Sequence, residues 1–432
     1  MKKRALLIGL AGALLLAGCE EKEPVLVGKR EDIRSSQAAT PLGPTPVSLA
    51  QAQRNSAWPQ AHGTPRFRTE NAALSRQPQL VWSAPIGEGD SRKLRLNTDP
   101  VVAAGRIFTM DANASVMAHS TDGAPLWQRS LVPPGDDPSE AMGGGMAFDQ
   151  GRLYVASGYG LLSALDAASG AVIWQQRLGA TGSGSPTVAD GLVYLVAGDD
   201  TAWALDANTG RIRWQLSAPP DVTNVLGAPA PVLSDDFVIF AYGGGEIQAA
   251  FRKGGLRIWD SAVAGQDRFS AAAKISDITG APVLAGGRLF LSTFSGRSVA
   301  INPDNGERLW TAPYGALSPL WANGSAVFLV SERNMLVRLN ANDGRLVWSV
   351  PLPLFTENRA KRQSQIYAHH GPILAGGLLW VASSDGALRG FDPVSGALTT
   401  QVAIPDGATT QPVVANGTLY VVSRRGELHA FR

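Results

Sequence analysis

An eleven-residue phrase recurs along this 432-residue chain and constrains its fold more than any other feature. In Ala164 to Trp174, Ala204 to Trp214 and Ala300 to Trp310, a glycine stands six residues after the alanine and a tryptophan four after the glycine. Weaker copies end at Trp127, Trp259 and Trp348, and one ends at Thr400 where tryptophan would stand. Upstream of each copy runs a glycine-led β-branched and aromatic stretch, such as Gly191 to Val196 or Gly417 to Val422. Ahead of that stretch a proline often opens a further short apolar run, as at Pro100, Pro186, Pro231, Pro282, Pro319, Pro372 and Pro412.

Each unit therefore reads as four short strands joined by Gly- and Asp-bearing turns. Counting from Trp82 to Thr400, the tryptophan positions lie 38 to 52 residues apart, the period of one propeller blade. Eight units predict an all-β, eight-bladed propeller of four-stranded blades. The last unit stops at Arg432 without its tryptophan strand, while Gln79-Leu80-Val81-Trp82 stands alone at the front. The front strand is therefore expected to complete the last blade, removing two open sheet edges. Most of the eleven tryptophans occupy one repeat position, which argues for packing between blades rather than ligand stacking. Asp166, Asp206 and Asp392 are expected to bond backbone N–H groups in the hairpin before that tryptophan.

The first 18 residues read as a secretory signal: Lys2, Lys3 and Arg4 precede an apolar run too short to cross a bilayer. Leu16-Ala17-Gly18-Cys19 resembles a bacterial lipobox, which implies lipidation at Cys19, the single cysteine. Residue Glu20 is not the Asp that favours inner-membrane retention, so the outer membrane is the expected location. Residues 19–57, rich in Pro, Ser, Ala and Gln, are expected to form a flexible tether, and 58–432 a single propeller. Removing the signal changes the net charge from +2 to −1, so no basic footprint for nucleic acid is expected.

Taken together, the repeat resembles that of the pyrroloquinoline-quinone propellers, a superfamily containing both dehydrogenases and non-enzymatic lipoproteins. Without a second cysteine the chain lacks the adjacent-cysteine disulfide that many of those dehydrogenases stack on the quinone. Its five histidines, His62, His119, His369, His370 and His429, show no metal-ligand spacing, and the His369–His370 pair is expected in a loop. Neither Gly143–Gly145 nor Gly243–Gly245 has the context of a phosphate loop. No catalytic, cofactor-binding or metal residue is therefore expected.

A lipid-tethered propeller of this kind looks like the BamB family of the outer-membrane β-barrel assembly machine. The resemblance implies a scaffold at the periplasmic face of the outer membrane, binding periplasmic domains of BamA, other machine subunits and nascent outer-membrane proteins. It also implies contact loops before two blade-opening prolines, here containing Val225 and Leu226 ahead of Pro231, and Asp277 and Thr279 ahead of Pro282. Leu226 and Thr279 replace the Arg and Asp that better-known members carry, while Asp277 keeps an acidic position. Capture of client strands on outer blade edges is a further expectation. The alternatives are a quinone-dependent dehydrogenase and a propeller that binds envelope glycans or another protein. The basic run within the Pro353–Tyr367 insertion is expected to be a solvated loop.

Overall fold

The computed structural model describes residues 40–61, 63–64, 70–140, 143–180, 184–219, 228–263 and 277–432. Cys19, His62, Val225 and Leu226 lie outside the described residues. Eight four-stranded antiparallel sheets form the propeller. The first blade is β2 (Val101–Ala103), β3 (Arg106–Met110), β4 (Ser115–Ser120) and β5 (Pro125–Ser130), and six more blades follow in chain order to β29 (Leu398–Ala403). The eighth joins β30 (Val413–Ala415), β31 (Thr418–Val422) and β32 (Glu427–Phe431) to β1 (Leu80–Pro85). Leu80 pairs with Phe431 and Pro85 with Glu427, and Gln79 and Arg432 exchange backbone bonds of 2.7 and 2.9 Å. The ring is closed as the repeat count requires.

The repeated residues lock blade to blade. A Cβ on Gly123, Gly170, Gly210, Gly255, Gly306, Gly344 or Gly396 would lie 2.5–2.9 Å from the ring of the preceding blade's tryptophan. Each of these glycines is also left-handed, as Gly210 is at φ +70°, so both the turn and the indole require it. Five indoles donate to the carbonyl one residue past the turn's opening position, at 2.9–3.1 Å: Trp127, Trp174, Trp214, Trp259 and Trp310. In the hairpin, the Asp206 carboxylate accepts from Thr209 N–H at 2.9 Å, and Asp166 and Asp392 accept likewise from Ser169 and Ser395. In six blades an aromatic of the second strand, among them Tyr154 and Phe328, tilts against the tryptophan at 5.9–6.1 Å.

Blade seven rearranges this set. Its second-strand aromatic is Trp380, fully buried and donating to Ala375 O at 2.9 Å, while Thr400 occupies the tryptophan position. The blade that follows is the closing one, whose third and fourth strands are joined by no hairpin. A tryptophan at 400 would have no glycine turn to cover, and the bulk moves inward to Trp380 instead.

Residues 40–57, expected within the tether, run along the propeller. Leu42 and Gly43 donate to Leu346 and Val347 carbonyls at 2.9 and 3.2 Å. Farther on, Asn55 bonds Val414 and Asn416, Trp58 exchanges two bonds with Val102, Pro59 accepts from Phe148, and Gln60 exchanges two with Val188. All these partners lie where first strands turn into second strands, so residues 53–60 cross one end of the ring and satisfy inner-strand backbone groups there. Trp58 stacks on Trp321 of the sixth blade at 6.3 Å, both buried. Composition favours a solvated tether because it weighs side-chain burial alone; backbone pairing with strand edges is what holds this segment.

Candidate functional site

In a four-stranded blade the loops entering the first strand share one end of the ring with the turns between second and third strands. That end carries the two described contact residues, Asp277 and Thr279, opposite the end crossed by residues 53–60. Of the four expected contact residues, two are described, and both stand on the fifth blade. Asp277 is 3% exposed, and its carbonyl accepts from Phe294 N–H at 3.0 Å. Thr279, in β18 (Ile278–Ala285), donates its hydroxyl to Ala316 O at 2.5 Å. The Asp277 carbonyl and the Thr279 hydroxyl thus tie loop to loop, and the buried Asp277 offers little surface of its own.

The surface on this end comes from their neighbours. Glu332, a largely buried carboxylate in the turn after β23 (Ala326–Val330), accepts from Gly315 N–H at 2.8 Å. Burial pushes its pKa up, against the pull of that N–H and of Arg333. The bond fixes the loop from 313 to 320, which holds Leu317 out at 53% exposure.

Beyond it stands the 353–367 insertion. Phe355 pairs with Ile366, and Thr356 N–H donates to Gln365 O at 3.1 Å, so the segment is a short hairpin rather than a free loop. A 3-10 turn over Ala360–Arg362 caps it. Its base is pinned by Asn334, whose Nδ2 donates to Pro353 O at 3.2 Å and Tyr367 O at 2.9 Å. The stem exposes Leu354, Phe355 and Ile366, and the tip exposes Arg359, Lys361 and Arg362. No ion pair to those three cations is found among the described residues. Exposed apolar side chains gathered beside cations make this hairpin the candidate interaction surface of the loop end.

The His369–His370 pair lies in a strand, β26 (His369–Ala375), not a loop, and the alternation of the strand separates the two rings. His369 Nε2 lies 2.7 Å from Pro353 O, so it carries the proton, and Nδ1 accepts from the Ser383 hydroxyl at 2.7 Å. Ser383 in turn accepts from Arg389, which is paired with Asp385. This network braces the hairpin base. Burial lowers the pKa of His369, opposed by the Pro353 carbonyl. Among the described residues no group of three or more His, Cys, Asp or Glu side chains could hold a metal ion.

The hairpin could have been found in the sequence as the one insertion with an aromatic–aliphatic stem around a basic run. Its bracing by Asn334 and His369 had no sequence signal, because those bonds go to backbone carbonyls.

Comparison with known proteins adds the following. The family described as "Outer membrane protein assembly factor BamB" matches residues 112–350. The Yersinia pestis protein of that description is 23% identical over 437 residues, covering 99% of either chain. The crystal structure of BamB from Moraxella catarrhalis superposes with a TM-score of 0.67 at 20% identity, over 82% of this chain and 99% of that one. Quinohemoprotein alcohol dehydrogenase from Comamonas testosteroni superposes with a TM-score of 0.66 at 15% identity, over 88% and 81%. At such identities the two structures show a shared fold alone.

Proposed function

The chain belongs to the BamB family of outer membrane protein assembly factors, and from that membership we propose that it is a non-enzymatic scaffold, lipidated at Cys19 and held at the periplasmic face of the outer membrane. It docks BamA, with other subunits of the machine, through the loop end of the propeller and so helps present nascent barrel proteins. The observation that carries this reading is the asymmetry of the two ends. One is crossed by the chain's own residues 53–60; the other holds out Leu317 and the braced 353–367 hairpin on the same end as Asp277 and Thr279. Asp277 and Thr279 act here as supports for the docking loops, and Leu226 as a contact.

Co-purification tests it. A chain carrying Leu226→Asp, Phe355→Ser and Ile366→Ser is expected to fold and to lose BamA from detergent-solubilised envelopes. Undiminished recovery of BamA with that variant would remove this end from the docking role. The rival reading, a quinone-dependent dehydrogenase, requires uptake of pyrroloquinoline quinone with Ca²⁺ and dye-linked alcohol oxidation. Either activity in the purified chain would displace the scaffold reading.

A second reading concerns clients. The outer strands present bare edges with exposed Val172, Ile173, Leu309 and Leu398. On the sixth blade the equivalent Leu346 and Val347 are buried, because Leu42 and Gly43 lie against that edge and bond it. An extended segment of this chain thus already pairs with one blade edge, and we propose that client strands pair with the others. Photo-crosslinkers at Ile173 and Leu398 are expected to capture nascent barrel proteins; capture only from the loop end would exclude the edges.

A further inference from the structure

A groove of about 320 Å³ lies between the outer strands of the first and second blades, β5 and β9 (Val172–Arg177). Leu131, Val132 and Leu161 give it an apolar wall, and Arg129 and Arg177 bring two cations to it. No acidic side chain is among its described lining residues. Asp136, Asp137 and Glu140, in the loop that follows, stand outside the lining. Within that loop Asp137 accepts from Ser139, and Glu140 accepts from the Asp137 N–H.

Both arginines depart from the repeat. The second residue after the fourth-strand tryptophan, or after Thr400, is Arg129 in the first blade and uncharged in the other seven, among them Gln176 and Val402. The third is Arg177 in the second blade and Ser, Ala or Pro in the other seven. Blades therefore form without a charge at either place, and two guanidinium groups sharing one groove repel each other. Residues that break a local rule at a cost mark functional positions. Arg129 Nε donates to Gly170 O at 2.9 Å, which fixes the side chain across the blade boundary and leaves both Nη groups without an acceptor among the described residues. Neither arginine has an ion pair among the described residues.

We infer that this groove binds a phosphate group. One guanidinium fork satisfies a planar carboxylate. Two forks carried on separate blades suit an anion whose oxygens leave a single plane, and phosphate answers two positive charges with up to two negative ones. Ser130, also in the lining, accepts the Val132 N–H on its Oγ at 3.4 Å and keeps its own proton to donate. The apolar wall accommodates the carbon skeleton of an ester. Phosphate reaches such a groove as the free ion or within a phospholipid headgroup. The groove lies across the ring from the fifth blade and does not rest on the scaffold reading.

The full-length chain in neutral detergent micelles is titrated calorimetrically, at low salt, with sodium phosphate, with dihexanoyl phosphatidylglycerol and with sodium acetate. Saturable binding of sodium phosphate assigns the groove to the free ion, and binding of the lipid alone assigns it to the headgroup. The ligand that binds is expected to do so about tenfold or more tightly than acetate. Arg129→Gln and Arg177→Ser install residues that other blades carry at these places, so both variants are expected to fold. Each is expected to weaken binding about tenfold or more, as loss of a charge-assisted bond implies. Absence of saturable binding by both phosphate ligands, acetate binding as tight as phosphate, or undiminished binding in the double variant would overturn the inference.

Discussion

Arg338 takes the carbonyl that Trp348 would otherwise bond. In five blades the indole N–H reaches the residue after the turn's opening Asp, Asn or Phe; in the sixth that residue is Pro393, and Arg338 Nη1 lies 3.4 Å from its oxygen. The Trp348 N–H is buried without an acceptor. Arg338 sits where every other blade has alanine or glycine, and its guanidinium also donates to Thr45 O at 2.7 Å and Thr45 Oγ1 at 3.2 Å. One buried cation thus joins two blades to the N-terminal segment.

The consequence is local. Arg338→Ala removes the bonds to Thr45 and lets Trp348 reach Pro393, so global stability is expected to change by less than about 2 kcal/mol. Residues 40–50 lose their anchor, and proteolysis within them is expected to accelerate about tenfold or more, the equivalent of about 1.4 kcal/mol. Limited digestion followed by mass analysis reads both. Unchanged cleavage would assign the hold on this segment to its other contacts, the bonds of Leu42, Gly43 and Ala50 and the packing of Val47 and Leu49.

Two glycines separate backbone strain from packing. Gly191 and Gly210 are both left-handed, at φ +76° and +70°, but a Cβ on Gly191 meets nothing within 4 Å while one on Gly210 lies 2.5 Å from Trp174. Gly191→Ala is expected to cost about 1–2 kcal/mol from the left-handed conformation alone. Gly210→Ala adds about 1–3 kcal/mol for displacing the indole. Urea midpoints at equal slope measure the difference; equal losses would show that the indole yields freely.

What the sequence discloses follows from what repeats. The tryptophan–glycine phrase fixes eight blades and their closure because each copy must meet the next, and the pairing of Gln79 with Arg432 is readable from the two incomplete ends. Arg338 and Trp380 are visible as departures from the phrase, yet the role of Arg338 depends on a segment that the phrase omits. That segment, residues 40–60, has no period, and backbone bonds to strand edges can be made by almost any residue. For the same reason Asp277 was legible as an acidic loop position but not as a buried one.

Blade seven offers a test of volume exchange. Trp380 lies inside, and a Cβ on Gly390 would touch both Trp380 and Thr400, at 3.1 and 2.8 Å. Thr400→Trp alone brings two indoles onto one glycine and is expected to cost about 1–3 kcal/mol. Combining it with Trp380→Phe gives the pair of a second-strand phenylalanine and a fourth-strand tryptophan found in other blades, without the glycine turn that the indole covers there. The pair is expected to be coupled by about 1 kcal/mol or more in a double-mutant cycle. Additive losses would mean that the two positions are packed independently.

His370 sets an acid limit on the fold. Burial, and then the neighbouring His369, push its pKa from 6.5 down to about 4. The ring is therefore neutral in the native chain where an unfolded chain would already be protonated. Between those two values the unfolded state binds the extra proton, so stability rises with pH and is lost on acidification. The loss approaches 1.36 kcal/mol per pH unit, about 3 kcal/mol across the interval for this one group. His369, also lowered by burial, acts in the same direction. His370→Gln keeps a polar side chain and removes the titration. Urea denaturation through this range is expected to give a visibly shallower pH dependence for the variant than for the native chain. Parallel curves would mean that His370 accepts its proton within the folded blade as readily as in water.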